Sequence, residues 1–155
     1  MGIMRRRKAV LLVEDDRVDA MTVKRALEDA GSTSLIVHMT DGESALAYLR
    51  SDVNQKPFLI LLDLSMPRMN GLEFLRTIKA DPALRSIPVV VLTTSASQDD
   101  IDDSFRASVA GYLTKPVDYR QFVAKIRAIE QYWQINLLPG DDRVPCDAGR
   151  AHFVG

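Results

Sequence analysis

At 155 residues, with 46% hydrophobic and 26% charged side chains, the chain is long enough for one domain around a single sizeable core. A formal net charge of −1 gives it no general attraction for nucleic acid or an anionic membrane surface. No apolar stretch approaches the ~18 residues of a membrane span, and the one cysteine, Cys146, has no partner for an intrachain disulfide, so a cytoplasmic protein is expected.

Residues 1–8 are a basic lead-in, whose Arg5-Arg6-Arg7-Lys8 run reads as a solvated approach to a strand rather than a binding arm. Ala9-Val10-Leu11-Leu12-Val13 is an unbroken apolar run ended by acids, the pattern of a strand buried on both faces. Ala20, Val23, Leu27 and Ala30 share a helical face that Gly31 closes. Leu35 to Met39 reads as a second strand, Asp41-Gly42 as a turn, and Ala45, Leu46 and Leu49 as the inner face of a short helix. Phe58 to Leu62 is the most hydrophobic stretch, expected as the central strand, and it runs straight into Asp63. Met66-Pro67 and Asn70-Gly71 bracket a loop before a helix that carries Leu72, Leu75 and Ile78 inward.

Pro88 to Leu92 predicts a fourth strand, ending at Thr93-Thr94-Ser95. The next helix opens with Asp99, Asp100, Asp102 and Asp103, acids favoured by the helix dipole. Gly111-Tyr112-Leu113 is a short fifth strand, and Asp118 with Gln121 resembles a capping box. Phe122, Ile126, Ile129 and Trp133 form the expected buried stripe of the last helix. Residues 9–134 are read as the domain and 135–155 as an extension, polar and without periodicity after Pro139-Gly140. Strands alternating with helices predict a parallel sheet covered on both faces.

In such a sheet ligands sit outside the carboxyl ends of the strands. Strand one ends in Glu14-Asp15-Asp16, strand three in Asp63 and strand four in Thr93-Thr94, while Lys115-Pro116 closely follows strand five. Crowded carboxylates resist ionisation unless a cation intervenes, and Mg²⁺ needs only a few of them, because it keeps several waters. Asp63 can then serve both as metal ligand and as nucleophile. Phosphoryl transfer asks for in-line positioning and neutralised equatorial oxygens. The metal, Lys115 and the Thr93 hydroxyl with nearby backbone N–H groups meet one need each. Asp16 before a helix is read as a cap, and His38 as a strand residue rather than a phosphorelay histidine.

The run Val10 to Asp16 resembles the acidic-pocket segment of bacterial response-regulator receiver domains, and Leu62 to Gly71 their phosphoacceptor loop. Ile87 to Thr94 and Gly111 to Pro116 resemble the family's switch-threonine and lysine segments. The blocks stand in the family's order over about Ala9 to Ile129. The resemblance implies a flavodoxin-like, doubly wound five-stranded parallel sheet of order 2-1-3-4-5. It implies a two-component regulator phosphorylated on Asp63 by a sensor histidine kinase. The metal it implies is Mg²⁺, with Mn²⁺ able to substitute, on Glu14, Asp15, Asp63 and the Ser65 backbone carbonyl. By the same resemblance Thr93 and Lys115 contact the phosphoryl group, Tyr112 swings inward on activation, and the Lys115-Pro116 bond is cis. The protein is then a signalling phosphoacceptor that assists its own phosphorylation and dephosphorylation.

Two positions depart from the common pattern. Glu14 replaces a frequent aspartate, and its longer arm is expected to reach the metal through water. Thr94 stands where a small residue is common, and its bulk is expected to restrict access to Asp63. Ile129 to Trp133, Leu137-Leu138-Pro139, Asp81-Pro82 and Leu92 to Ser95 are similar to stand-alone regulators paired with bacterial phytochrome kinases. That likeness implies a bacteriophytochrome partner and a homodimer, with Tyr132, Trp133, Ile135, Leu137 and Leu138 as interface residues.

Two other classes compete. An aspartyl-phosphate phosphohydrolase needs a general acid two residues after its nucleophile, where this chain has Ser65. A flavin module needs a glycine- and hydroxyl-rich loop after strand one, whereas this loop is acidic and repels phosphate. No DNA-binding module is expected in so short an extension.

Overall fold

The unbroken apolar runs become the inner strands of one sheet. The structure is a computed structural model, and it describes residues 8–66, 69–115 and 117–136. Strands β1 (Ala9–Val13), β2 (Leu35–Met39), β3 (Leu59–Leu62), β4 (Val89–Thr93) and β5 (Gly111–Thr114) alternate with helices α1 (Arg17–Asp29), α2 (Gly42–Arg50), α3 (Gly71–Ala80), α4 (Gln98–Arg106) and α5 (Tyr119–Ile135). All strand pairs are parallel, in the order β2-β1-β3-β4-β5, the flavodoxin-like arrangement. Every residue of β1, β3 and β4 is buried, because helices cover both faces. The edge strand β2 is only half-covered.

The period of two along each strand sorts side chains onto two cores. Leu11, Val13, Ile60, Leu62, Val89 and Val91 meet α2 and α3 through Leu49, Phe74, Leu75 and Ile78. Val10, Leu12, Leu61 and Leu92 face the other way, onto Val23 and Leu27 of α1 and Phe122, Ile126 and Trp133 of α5. Together these layers fix the strand ends, and so the site, against helices on both sides.

Helix starts follow short polar caps. Asp16 accepts from the N–H of Asp19, as its reading as a cap requires. Asp41 and Asn70, expected as turn and loop residues, are the N-caps of α2 and α3 and accept from Ser44 and Glu73. Asp-Gly and Asn-Gly serve both purposes, so the dipeptides alone do not separate a turn from a helix start. Asp118 caps α5 by accepting from Arg120. Gly31 takes φ +83 just past the α1 cap, a left-handed position that closes the helix.

Two expected stripes shift. In α3 the fully buried residues include Phe74, while Leu72 is half-buried. In α5 the buried set is Phe122, Ile126, Glu130 and Trp133, and Ile129 is half-buried. Ile129 still packs against the α1–α5 core from its edge and lines the flank beside β5, while Glu130 is the more buried of the two. The buried Glu130 carboxylate accepts from the Gln134 amide. Trp133 is a core residue, 8% exposed, so of the expected interface it leaves Tyr132 and Ile135 on the surface, at 56% and 82%. Leu137, Leu138 and Pro116, with the bond that precedes it, lie outside the described residues.

Candidate functional site

The backbone ladder runs one residue past the strands and pins the acids. The Glu14 N–H donates to the Met39 carbonyl at 3.0 Å, and the Asp63 N–H to Val13 at 3.0 Å. Both carboxylates are buried, Glu14 at 1% and Asp63 at 6% exposure, while Asp15 is exposed. One carboxylate oxygen from each of Glu14, Asp15 and Asp63 lies within 4.8 Å of the others. His38 Nε2 donates to the Glu14 carbonyl at 2.7 Å, which requires a proton on that nitrogen. Behind Asp63, the chain closes tightly: the Gly71 N–H donates to the Leu64 carbonyl at 3.0 Å. A Cβ on Gly71 would stand 2.5 Å from the Asp63 carbonyl oxygen.

From the other side, β5 delivers an ammonium. The Lys115 N–H donates to the Thr93 carbonyl at 2.8 Å, extending the β4–β5 ladder. Its Nζ bonds Glu14 Oε1, lies 2.8 Å from Asp19 Oδ2 and 3.7 Å from Asp63 Oδ2. Three carboxylates thus share one ammonium before Asp15 is counted. Burial pushes the Glu14 carboxyl up to about 8, with Lys115 opposing and Asp63 reinforcing the shift. Burial pulls Lys115 down, but its bonds to Asp19 and Glu14 and the Asp63 charge outweigh that and leave it raised.

These oxygens suit a hard cation. Carboxylates crowded with little solvent repel one another, a divalent ion removes the conflict, and the donor set is oxygen throughout. Glu14, Asp15 and Asp63 can hold it, and Lys115 remains for a second anion.

Thr93 is fully buried at the end of β4. Thr94 is exposed. The Tyr112 hydroxyl donates to the Ser95 carbonyl at 2.9 Å, and Ser95 Oγ donates to Asp100 at 2.6 Å. Burial pushes the Tyr112 phenol up, the Ser95 bond opposes this, and the Asp100 and Asp63 charges add to it. Tyr112 is therefore tied to the β4–α4 loop that follows Thr93. Ser65 is exposed, and its N–H points at Asp63 Oδ1 from 3.4 Å.

The structure thus joins Glu14, Asp15, Asp63 and Lys115, and sets Thr93, Thr94, Ser65 and Tyr112 around them. Asp19, His38 and Gly71 belong to the same site, although residue spacing does not single them out for it. The signal available for Asp19 is an acid one turn after the Glu14-Asp15 pair.

Residues 10–127 match the response regulator receiver domain family. The chain belongs to that family. Among its relatives is the probable methanogenesis regulatory protein FilR2 of Methanothrix harundinacea, 42% identical over 80% of this chain and 82% of FilR2. A crystal structure of the phosphorylated cyanobacterial phytochrome response regulator RcpA is similar at TM-score 0.80 and 40% identity, covering 86% of this chain and 99% of that one. The Mn²⁺-bound form of response regulator Rcp1 is similar at TM-score 0.78 and 37% identity, over 85% and 99% of the two chains. Rcp1 comes from Synechocystis.

As a receiver, the protein is a phosphoryl-accepting component of two-component signalling, and its partner class is the histidine kinase. Its acidic trio fits a divalent cation, the kind of ion present in the Rcp1 structure. A phosphohydrolase is not favoured. Among the described residues, no helix is long and apolar enough to cross a membrane.

Proposed function

We propose that Asp63 is the phosphoacceptor of this receiver and that Glu14, Asp15, Asp63 and the Ser65 carbonyl hold Mg²⁺ beside it, with Mn²⁺ able to substitute. The single observation that carries this reading is the close gathering of three carboxylate oxygens, with the Lys115 ammonium 3.7 Å from Asp63. An Asp63 carboxylate oxygen attacks the phosphorus of a phosphohistidine in line; the P–O bond forms, the P–N bond breaks, and the electron pair returns to the imidazole. The bound cation would neutralise one equatorial oxygen. Lys115 pairs with a second, and the Thr93 hydroxyl turns to the third. Thr94, exposed at the rim, narrows the approach and slows both gain and loss of the group. The same residues assist hydrolysis of the acyl phosphate.

When Thr93 moves, Tyr112 loses its present relation to the Ser95 carbonyl and turns inward. The switch then acts by changed association, as a homodimer, without binding nucleic acid. The likeness to RcpA and Rcp1 supports a bacteriophytochrome kinase as the partner. A kinase fed by ATP supports a cytoplasmic location.

The test is phosphoryl incorporation from a kinase or small phosphodonor in Mg²⁺. Asp63→Asn should abolish base-labile incorporation while the circular dichroism spectrum is kept. Equal labelling of the substituted protein would place the acceptor elsewhere.

A further inference from the structure

The carboxylate that meets Lys115 from outside the metal cluster is Asp19. It sits in the first turn of α1, where its own N–H is held by the Asp16 cap at 3.0 Å. Its Oδ2 lies 2.8 Å from Lys115 Nζ, nearer than Asp63 Oδ2 at 3.7 Å. The acidic trio that could share a cation is Glu14, Asp15 and Asp63, without Asp19. Asp19 therefore touches the site through the lysine.

We propose that Asp19 is a positioning residue that holds the Lys115 ammonium back from Asp63, so that an arriving phosphoryl group must draw the lysine away from it. This rests on the reading of Asp63 as acceptor. The geometry gives the lysine somewhere to be held, on Asp19 at 2.8 Å, and somewhere to go, towards Asp63 Oδ2 at 3.7 Å. A cavity of about 70 Å³, lined by Asp19, Thr22, Val23, Lys115 and Phe122, adjoins the lysine. The Lys115 side chain is 12% exposed, so its anionic partners compete with little help from water. Asp19 itself is 40% exposed, so its hold is screened and should be overcome rather than permanent. A lysine fixed only by Glu14 would be free to meet the new anion at once. Asp19 makes each phosphoryl contact an exchange of one ion pair for another. The phosphorylated state is thereby set weaker than the site's other groups would make it.

Beryllofluoride in excess Mg²⁺, titrated calorimetrically into the full chain, reads this balance. Asp19→Asn keeps the shape and removes the charge, and should tighten beryllofluoride binding by about two- to fivefold. Asp19→Glu keeps the charge and should stay close to the natural protein. Loosened packing of α1 would weaken binding, so the direction of the change carries the result. Unchanged or weaker binding in Asp19→Asn, or an equal gain in Asp19→Glu, would overturn the inference while leaving Asp63 as acceptor. Beryllofluoride binding that persists in Asp63→Asn, or is missing from the natural protein, would instead remove the acceptor reading and this inference with it.

Discussion

Gly71 shows how far the site depends on a single missing atom. A Cβ there would lie 2.5 Å from the Asp63 carbonyl oxygen and 2.5 Å from the Leu64 Cα, and neither backbone atom can swing aside. At Gly42 the nearest atom is the Met69 sulfur at 3.0 Å, the end of a flexible side chain. Both glycines open a helix, so propensity is similar and the difference lies in what must yield. Gly71→Ala should cost about 1–3 kcal/mol of stability by overpacking. It should also weaken Mg²⁺ binding, because the displaced atoms carry Asp63. Gly42→Ala should do neither to that extent. Urea unfolding and Mg²⁺ calorimetry on the two variants would test this, and equal losses would remove the special role of Gly71. The other site residues divide by how the chain delivers them. Glu14 and Asp63 are legible in sequence because an apolar strand ending in an acid has few structural explanations. Asp19 reaches the site across a helix turn, and His38 from the neighbouring strand end. Their parts depend on where α1 and β2 are packed, which residue spacing does not specify.

At the scale of elements, strand positions follow from burial on both faces, and the connections follow from specific polar contacts. Lys79, in the last turn of α3, donates to the carbonyls of Arg85 at 2.9 Å and Ile87 at 2.8 Å. Burial lowers its pKa, because the ammonium is partly withdrawn from water. These bonds close the segment that leads into β4, the strand that ends at Thr93. Lys79→Met preserves most of the apolar stem and removes both donors. It should lower stability by about 1–2 kcal/mol, as expected when carbonyls lose a charged partner. An unchanged urea midpoint would show that water replaces the lysine at no cost. Such contacts escape a sequence reading, since a lysine in the last turn of a helix is expected there on dipole grounds alone. The strands are a different matter. The runs at Ala9, Phe58 and Pro88 announce β1, β3 and β4 to within a residue at either end, because no surface strand is apolar at every position. The stripe of α5 is less legible. Ile129 and Glu130 are adjacent, and which of them is the more buried depends on the flank that β5 leaves open.

That open flank governs the expected assembly. An apolar groove of about 320 Å³ runs between the edge strand β5 and α5, lined by Val90, Gly111, Leu113, Ile129, Tyr132 and Trp133. Tyr132 packs edge-on against Trp133, with centroids 4.9 Å apart, yet stays 56% exposed, and Ile135 is 82% exposed one turn further on. Large apolar side chains left in water forgo roughly 1.5–3 kcal/mol each relative to burial. A two-fold dimer satisfies this with one patch used twice. Removing the helix beyond Gln131 would be a poor test, because Trp133 belongs to the core, and its loss would confuse unfolding with dissociation. Tyr132→Ser with Ile135→Ser alters exposed positions alone. Light scattering should find the full chain dimeric at micromolar concentration and the double variant shifted towards monomer, with the unfolding midpoint of the isolated subunit little changed. A full chain that stays monomeric at high micromolar concentration, with or without beryllofluoride, would end the idea. A dimer that survives both substitutions would move the interface away from the end of α5, onto α4, β5 and the earlier turns of α5.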